Sequence, residues 1–332
     1  MIKKKILLIG GCGFIGHNLA IALKKKGADV YVLDSLQVNH IGEHTKSQYA
    51  NDMYLSFLNQ RIDLLKKYKI PLHIVDARDY QILTNRINVI KPDTVIHLAA
   101  VAHAKKANKD PYSTLDHSMR TLENTLDAIR GTKTHFIFFS SSMVYGHFKK
   151  KKVRESEPCE PLGIYGAIKF GGEKLVIAYG QVFGLNYTIV RPSALYGPRC
   201  VSRRVGQVFI ENAIASKDLI LEGDGSDSLD FTYIDDLING LELIISSKNS
   251  YNEIFNLTYG KAEKIKILAE TVAKFFPQVG IKYSKRDKLM PFRGTLDITN
   301  IKKKLGFTPS YPIFKGLELY INWYKEDIDR KF

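Results

Sequence analysis

The chain has 332 residues, 45% hydrophobic and 25% charged, enough apolar content for a large core and against wholesale disorder. Its formal net charge is +15, yet the lysines lie scattered in short runs that include Lys3, Lys24, Lys150 and Lys302, without interleaved aromatics, zinc spacing or a helix-turn-helix pattern. That distribution reads as a solvated basic surface and not as a nucleic-acid reader. Cys12, Cys159 and Cys200 are odd in number and far apart, which argues against a disulfide framework or a metal site and for a reducing compartment. The opening "MIKKKILLIGG" imitates a signal peptide, but its apolar run covers only Ile6 to Ile9, short of the roughly 7 to 15 residues a signal needs. No stretch approaches the ~20 apolar residues of a membrane span. The expectation is a soluble cytoplasmic protein with no membrane partner.

In chain order, "KILLIG", "DVYVLD", "LHIVD", "DTVIHLAA", "HFIFFSSS" and "YTIVRPS" read as buried strands. Amphipathic stretches at 14–26, 80–90, 111–130 and 165–183 read as the helices between them. This βαβα rhythm predicts an α/β fold: a Rossmann-like, doubly wound parallel sheet covered on both faces. One interruption falls between Asp34 and Leu72, where Tyr49, Met53 and Phe57 recur at i, i+4, i+8 and Tyr54, Leu58 and Leu65 run alongside. That apolar stripe predicts an additional helix within 47–69, which packs on its own domain or serves as a subunit contact or lid. After Pro198 the rhythm loosens into helices at 205–216, 235–246, 264–276 and 314–328 with short strands "LILEG", "FTYI" and "IFNL". A cofactor domain at 1–198 and a smaller α/β substrate-binding part at 199–332 are expected, sharing a continuous interface across which strands and helices are exchanged.

"KILLIGGCGFIG" sets Gly10, Gly11, Gly13 and Gly16 at a strand-to-helix junction. Glycines there let the backbone approach a pyrophosphate, and the amides of the helix start, at Phe14 and Ile15, point at it. The second strand ends in Asp34, 18 residues beyond Gly16, where a carboxylate accepts ribose hydroxyls and repels a 2′-phosphate, so NAD is favoured over NADP. "HIVDARD" brings Asp76 and Ala77 to the same edge. Asp76 either bonds the adenine amino group or, like Asp79, caps a helix.

"YGAIK" places Tyr165 and Lys169 four residues apart, on one helix face. An ammonium beside a phenol favours the phenolate, which can take a proton from a sugar hydroxyl while hydride leaves the same carbon. A serine from the end of "FIFFSSS" could hydrogen-bond that hydroxyl and help pass the proton.

With "GGCGFIG", Asp34, "HLAA", "SSSMVYG", "YGAIK", "RPSALYGP", "GDGSDSLDFTYIDD" and "RGTLDITNIKKKLGFTP" together, the chain resembles an extended short-chain dehydrogenase/reductase of the NAD-dependent nucleotide-sugar epimerase/dehydratase family over nearly its whole length. The resemblance implies that Ser141, Tyr165 and Lys169 are catalytic and that Lys169 also holds the nicotinamide ribose. It further implies that Leu98, Ala99, Ala100, Pro192 and Ala194 line the cofactor, that the sugar nucleotide lies under the C-terminal part beside Ser142 and Met143, and that two copies pair through the helices at 111–130 and 163–183.

Three departures from the family pattern matter. Dehydratases of this family usually carry an aspartate and a glutamate where this chain has Ser142 and Met143, and a thioether is no general acid or base. Epimerisation needs no such pair, so NAD-dependent C4 epimerisation of an NDP-sugar, with a UDP-sugar or UDP-uronic acid favoured, is the leading expectation. A dehydratase, a net dehydrogenase or ketoreductase, and a non-catalytic dinucleotide sensor are the alternatives. Leu229 replaces an arginine that grips the substrate diphosphate, and Ala194 replaces an asparagine. Arg203, Arg204 and Arg293, with Gln207 and Asn212, are the candidates to hold the diphosphate instead.

Overall fold

A computed structural model describes residues 2–38 and 52–329. Seven strands form the main sheet: β1 (Lys5–Ile9), β2 (Asp29–Asp34), β3 (Leu72–Ile74), β4 (Thr94–His97), β5 (His135–Phe139), β6 (Asn186–Arg191) and β7 (Glu253–Asn256). Their spatial order is β7-β6-β5-β4-β1-β2-β3, and every pair is parallel. The central strands are largely apolar because both faces are covered: Ile6 and Leu8 enter one core while Leu7 and Ile9 enter the other. The strand order reverses between β1 and β4, where the crevice at the carboxyl ends of an open α/β sheet accepts ligands.

The helices α1 (Phe14–Lys25), α2 (Asp52–Lys67) and α3 (Tyr80–Ile90) follow the first three strands. Asp79, and not Asp76, caps α3 by accepting from the Ile82 amide at 3.0 Å. The helix expected over 111–130 is composite: α4 (Pro111–Leu115) passes through a π-helical turn at Asp116–Arg120 into α5 (Thr121–Ala128). Beyond it lie α6 (Gly163–Phe183), α7 (Val205–Ile214), α8 (Ile234–Ser246), α9 (Ile265–Phe275), α10 (Thr299–Leu305) and α11 (Ile313–Asp329). "IFNL" does not stay in the C-terminal region; as β7 it pairs with β6 and extends the main sheet.

The stripe on α2 packs inside the chain. Phe57 sits 4.7 Å from the Trp323 ring and 5.7 Å from Tyr324 on α11, and Tyr54 donates to Glu211 on α7 at 2.6 Å. Tyr49 lies outside the described residues.

Candidate active site

The glycine turn is dictated partly by the fold and partly by what lies above it. Gly10 has φ +76°, and a Cβ there would fall 2.6 Å from the Ala99 amide nitrogen, so the chain itself requires glycine. At Gly13 a Cβ would meet only the Gly10 carbonyl, at 3.2 Å, so the missing side chain chiefly leaves room outward. Gly13 caps α1 without a side-chain bond, the first turn holds no acidic residue, and Lys24 and Lys25 close the other end. The positive end of the helix dipole and the amides of Phe14 and Ile15 therefore face the cleft unneutralised, which suits an anion.

Asp34 stands on the same wall, with one carboxylate oxygen accepting from the Cys12 amide and the other from Leu36, each at 2.9 Å. Asp76 also lines the cleft, but Arg78 holds it by a 2.6 Å ion pair, and this bond keeps its carboxyl below the usual range. Ala77 and Ala99 complete that side, while Ile15, Leu98 and Ala100 belong both to this cleft and to its neighbour. The glycine cradle, the free helix amides and a carboxylate at the end of β2 fit an adenine dinucleotide.

The neighbouring cavity measures about 450 Å³, inside the roughly 300–1,000 Å³ of small-molecule sites. Ser141, Ser142, Met143, Tyr165, Lys169, Pro192 and Ala194 line it together. Ser141 ends the loop after β5 and caps the 3₁₀ turn Ser142–Tyr145, its hydroxyl accepting from the Met143 amide at 3.2 Å. Burial pushes the Tyr165 phenol up, while the charge of Arg204 and a hydrogen bond with Ser141 pull it back. One turn on, Lys169 is 6% exposed and donates to the Phe139 carbonyl at 2.7 Å. Burial lowers its pKa from 10.5 to about 8, against the opposing charge of Glu173. Ala194 holds a left-handed backbone, φ +38°, which asparagine tolerates better than alanine.

Behind this surface lies a network that sequence reasoning missed. Glu173, a further turn along α6, receives two bonds from Arg191, at 2.8 and 2.6 Å, and accepts from Ser140. Arg191 also donates to the Tyr145 hydroxyl at 2.8 Å. The signal was present: Tyr165, Lys169 and Glu173 share the i, i+4, i+8 line of one helix.

The cavity's opposite wall is cationic. Arg203, Arg204 and Arg293 line it, whereas its carboxylates Glu222 and Asp227 are engaged by Lys105 and Arg286. The Arg293 Nε is buried without a partner, and burial together with Arg204 lowers its pKa to about 10. Leu229 is on this wall as an apolar patch. Gln207 and Asn212 do not reach the cavity: Gln207 is spent on the Arg203 amide and Glu211, and Asn212 donates to the Asp218 carbonyl. Gln207 is buried on the packed side of α7 and Asn212 is half-buried near its end, and neither lines the cavity, which corrects the expectation that they hold a diphosphate.

Residues 6–258 match the model of the NAD dependent epimerase/dehydratase family. The chain belongs to this family. A UDP-glucuronate 4-epimerase of Thermodesulfobacterium geofontis is 29% identical over 97% of both chains. A dTDP-D-glucose 4,6-dehydratase of Dictyostelium discoideum is 28% identical over 76% of this chain and 58% of its own length. The crystal structure of UDP-glucuronic acid 4-epimerase from Bacillus cereus, in complex with UDP-glucuronic acid and NAD, superposes with a TM-score of 0.87 at 26% identity, covering 97% of this chain and 99% of that one. Among the described residues no helix is long and apolar enough to cross a membrane, and no cluster of side chains suits a metal ion.

Proposed function

We propose that the protein is an NAD-dependent UDP-sugar 4-epimerase, with Ser141, Tyr165 and Lys169 as its catalytic residues. The observation that carries this reading is their meeting in one cavity with Met143, where the carboxylates on the lining are already ion-paired and none is free to catalyse elimination. The chemistry supplied by bound NAD is removal and return of a hydride at one carbon. Tyr165 takes the proton of the sugar C4 hydroxyl and later gives it back, with Ser141 holding that oxygen. Lys169 stabilises the phenolate and grips the nicotinamide ribose. Arg293 and Arg204 hold the diphosphate in place of the arginine that Leu229 replaces, leaving the sugar free to turn its other face. The extra cation at Arg203 favours a uronic acid as the sugar.

Exposed Tyr112, Leu115, Val182 and Phe183 lie on the composite helix and on α6, and support pairing of two copies through these helices. Three unpaired cysteines support residence in the cytoplasm.

The purified protein is to be incubated with UDP-glucuronate, UDP-glucose and their N-acetylated and 4-epimeric counterparts, with products identified by NMR. A C4 epimer without net NADH supports the reading. A dehydrated keto sugar refutes it, and so does stoichiometric NADH. Tyr165→Phe should lose about 10²–10⁴-fold in kcat while retaining its NAD.

A further inference from the structure

One charged residue of the inserted helix α2 does not face water. Arg61 is 1% exposed, on the side of the helix that buries Phe57, Leu58 and Leu65. It lines the dinucleotide cleft together with Gly13, Phe14, Ile15 and Ser202. Nε and one terminal nitrogen both donate to the Arg199 carbonyl, at 3.2 and 2.5 Å. Among the described residues it forms no ion pair with a carboxylate. Its neighbours compensate it only in part: the Asp34 carboxylate acts on it through its charge without bonding to it, while the Arg199 guanidinium donates to His17 Nε2 at 3.3 Å, so that ring is neutral and its Nδ1 donates to the Gly13 carbonyl at 2.9 Å. Burial lowers the Arg61 pKa to about 10, which leaves it charged at neutral pH.

A buried cation whose hydrogen bonds all go to one carbonyl is costly, and an anion entering the cleft relieves that cost. The position of Asp34 decides which anion. Its carboxylate, fixed by two backbone amides at the end of β2, stands where this fold takes the adenosine ribose and disfavours a 2′-phosphate beside it. The remaining anion is the pyrophosphate, over the free amides that start α1.

We infer that Arg61 is a cofactor-binding residue, its free edge pairing with the pyrophosphate of NAD opposite the start of α1, so that the inserted helix forms a third side of the cofactor site. The Arg199 carbonyl aims the guanidinium, and the Arg199–His17–Gly13 chain ties its position to the glycine turn. This inference rests on NAD being the cofactor.

The test compares wild type, Arg61→Met and Arg61→Lys. Three quantities are measured: NAD carried through purification, calorimetric affinity of the stripped proteins for NAD, ADP and adenosine, and melting of the stripped proteins. Arg61→Met should bind NAD and ADP about 10- to 100-fold more weakly, bind adenosine as wild type does, and melt no lower when stripped. Should Arg61→Met not fold, Arg61→Lys carries the test, because an ammonium keeps the charge but loses the planar fork and should show the same selective loss. Affinity for NAD within twofold of wild type overturns the inference alone. Equal losses for ADP and adenosine also overturn it, since the residue then only shapes the cleft. A wild type that binds no NAD overturns both the inference and the cofactor assignment beneath it.

Discussion

Replacing Lys169 by methionine makes the pH dependence of stability report how that ammonium is held. Lys169 is packed beside the Phe138 ring, 5.2 Å from its centroid, with one bond to the Phe139 carbonyl. Burial brings its pKa from 10.5 down to about 8. A folded chain that keeps the proton at pH 7 thereby forgoes about 3 kcal/mol. The sign follows from proton counting. The folded pKa lies below the unfolded one, so between about pH 8 and 10.5 the unfolded chain binds more protons, and stability rises with pH across that window. In Lys169→Met this titration is absent. Urea unfolding of the NAD-free proteins should therefore show wild type gaining about 2–3 kcal/mol on the variant between pH 7 and pH 10. The Phe139 carbonyl left unpaired in the variant costs about 1–3 kcal/mol, but it does not titrate and moves the whole curve without altering its slope. A wild-type-minus-variant difference that stays flat over that interval would refute the claim that the ammonium is desolvated.

Arg293→Ala should raise the KM for the UDP-sugar about 10- to 100-fold with little change in kcat, because the diphosphate is bound alike before and during reaction; in steady-state kinetics Arg204→Ala should raise KM likewise but lower kcat as well, because its charge holds the Tyr165 phenol down. Two alanine substitutions in the glycine turn should part company when melting and cofactor content are measured on the same samples. Gly13→Ala should fold and melt close to wild type yet lose most of its NAD, whereas Gly10→Ala, strained by φ +76° and by contact with the Ala99 backbone, should fold poorly. Equal NAD retention in Gly13→Ala would remove the ligand-based reason for glycine there.

What could be read from the sequence was local. The glycine turn, Asp34 and the Tyr165–Lys169 spacing lie within single elements or adjoining ones, so their geometry is a property of helix pitch and strand ends. The partnership of β7 with β6 joins residues such as Ile189 and Ile254, far apart in sequence, and parallel pairing leaves no local trace. The π-helical turn at Asp116–Arg120 was hidden for another reason: a single widened turn shifts the hydrophobic line by less than sequence periodicity resolves. Arg61 was missed because an arginine on an amphipathic helix is ordinarily solvated, and only the packing of α2 against α11 turns it inward. Asn212 and Gln207 misled in the opposite sense, since polar side chains on α7 are consumed by its own neighbours.

The late arrival of β7 bears on how the protein is made. Until residues Glu253–Asn256 have been synthesised, β6 is the edge of the sheet, with Ile189 and Val190 in the strand and its outer hydrogen-bonding groups unmatched. A nascent chain that has completed the glycine turn, Ser141, Tyr165 and Lys169 thus still carries an open, apolar parallel edge, the kind of surface on which growing chains pair wrongly. Lys169 and the strand that covers this edge are separated in the chain by Arg203 and Arg204, while Arg293 follows that strand, so the cavity's residues are synthesised in part before the last strand of the sheet is available. Protection of that edge during synthesis, by the ribosome or by a chaperone, becomes a requirement of this topology, and a fragment ending before β7 is expected to aggregate.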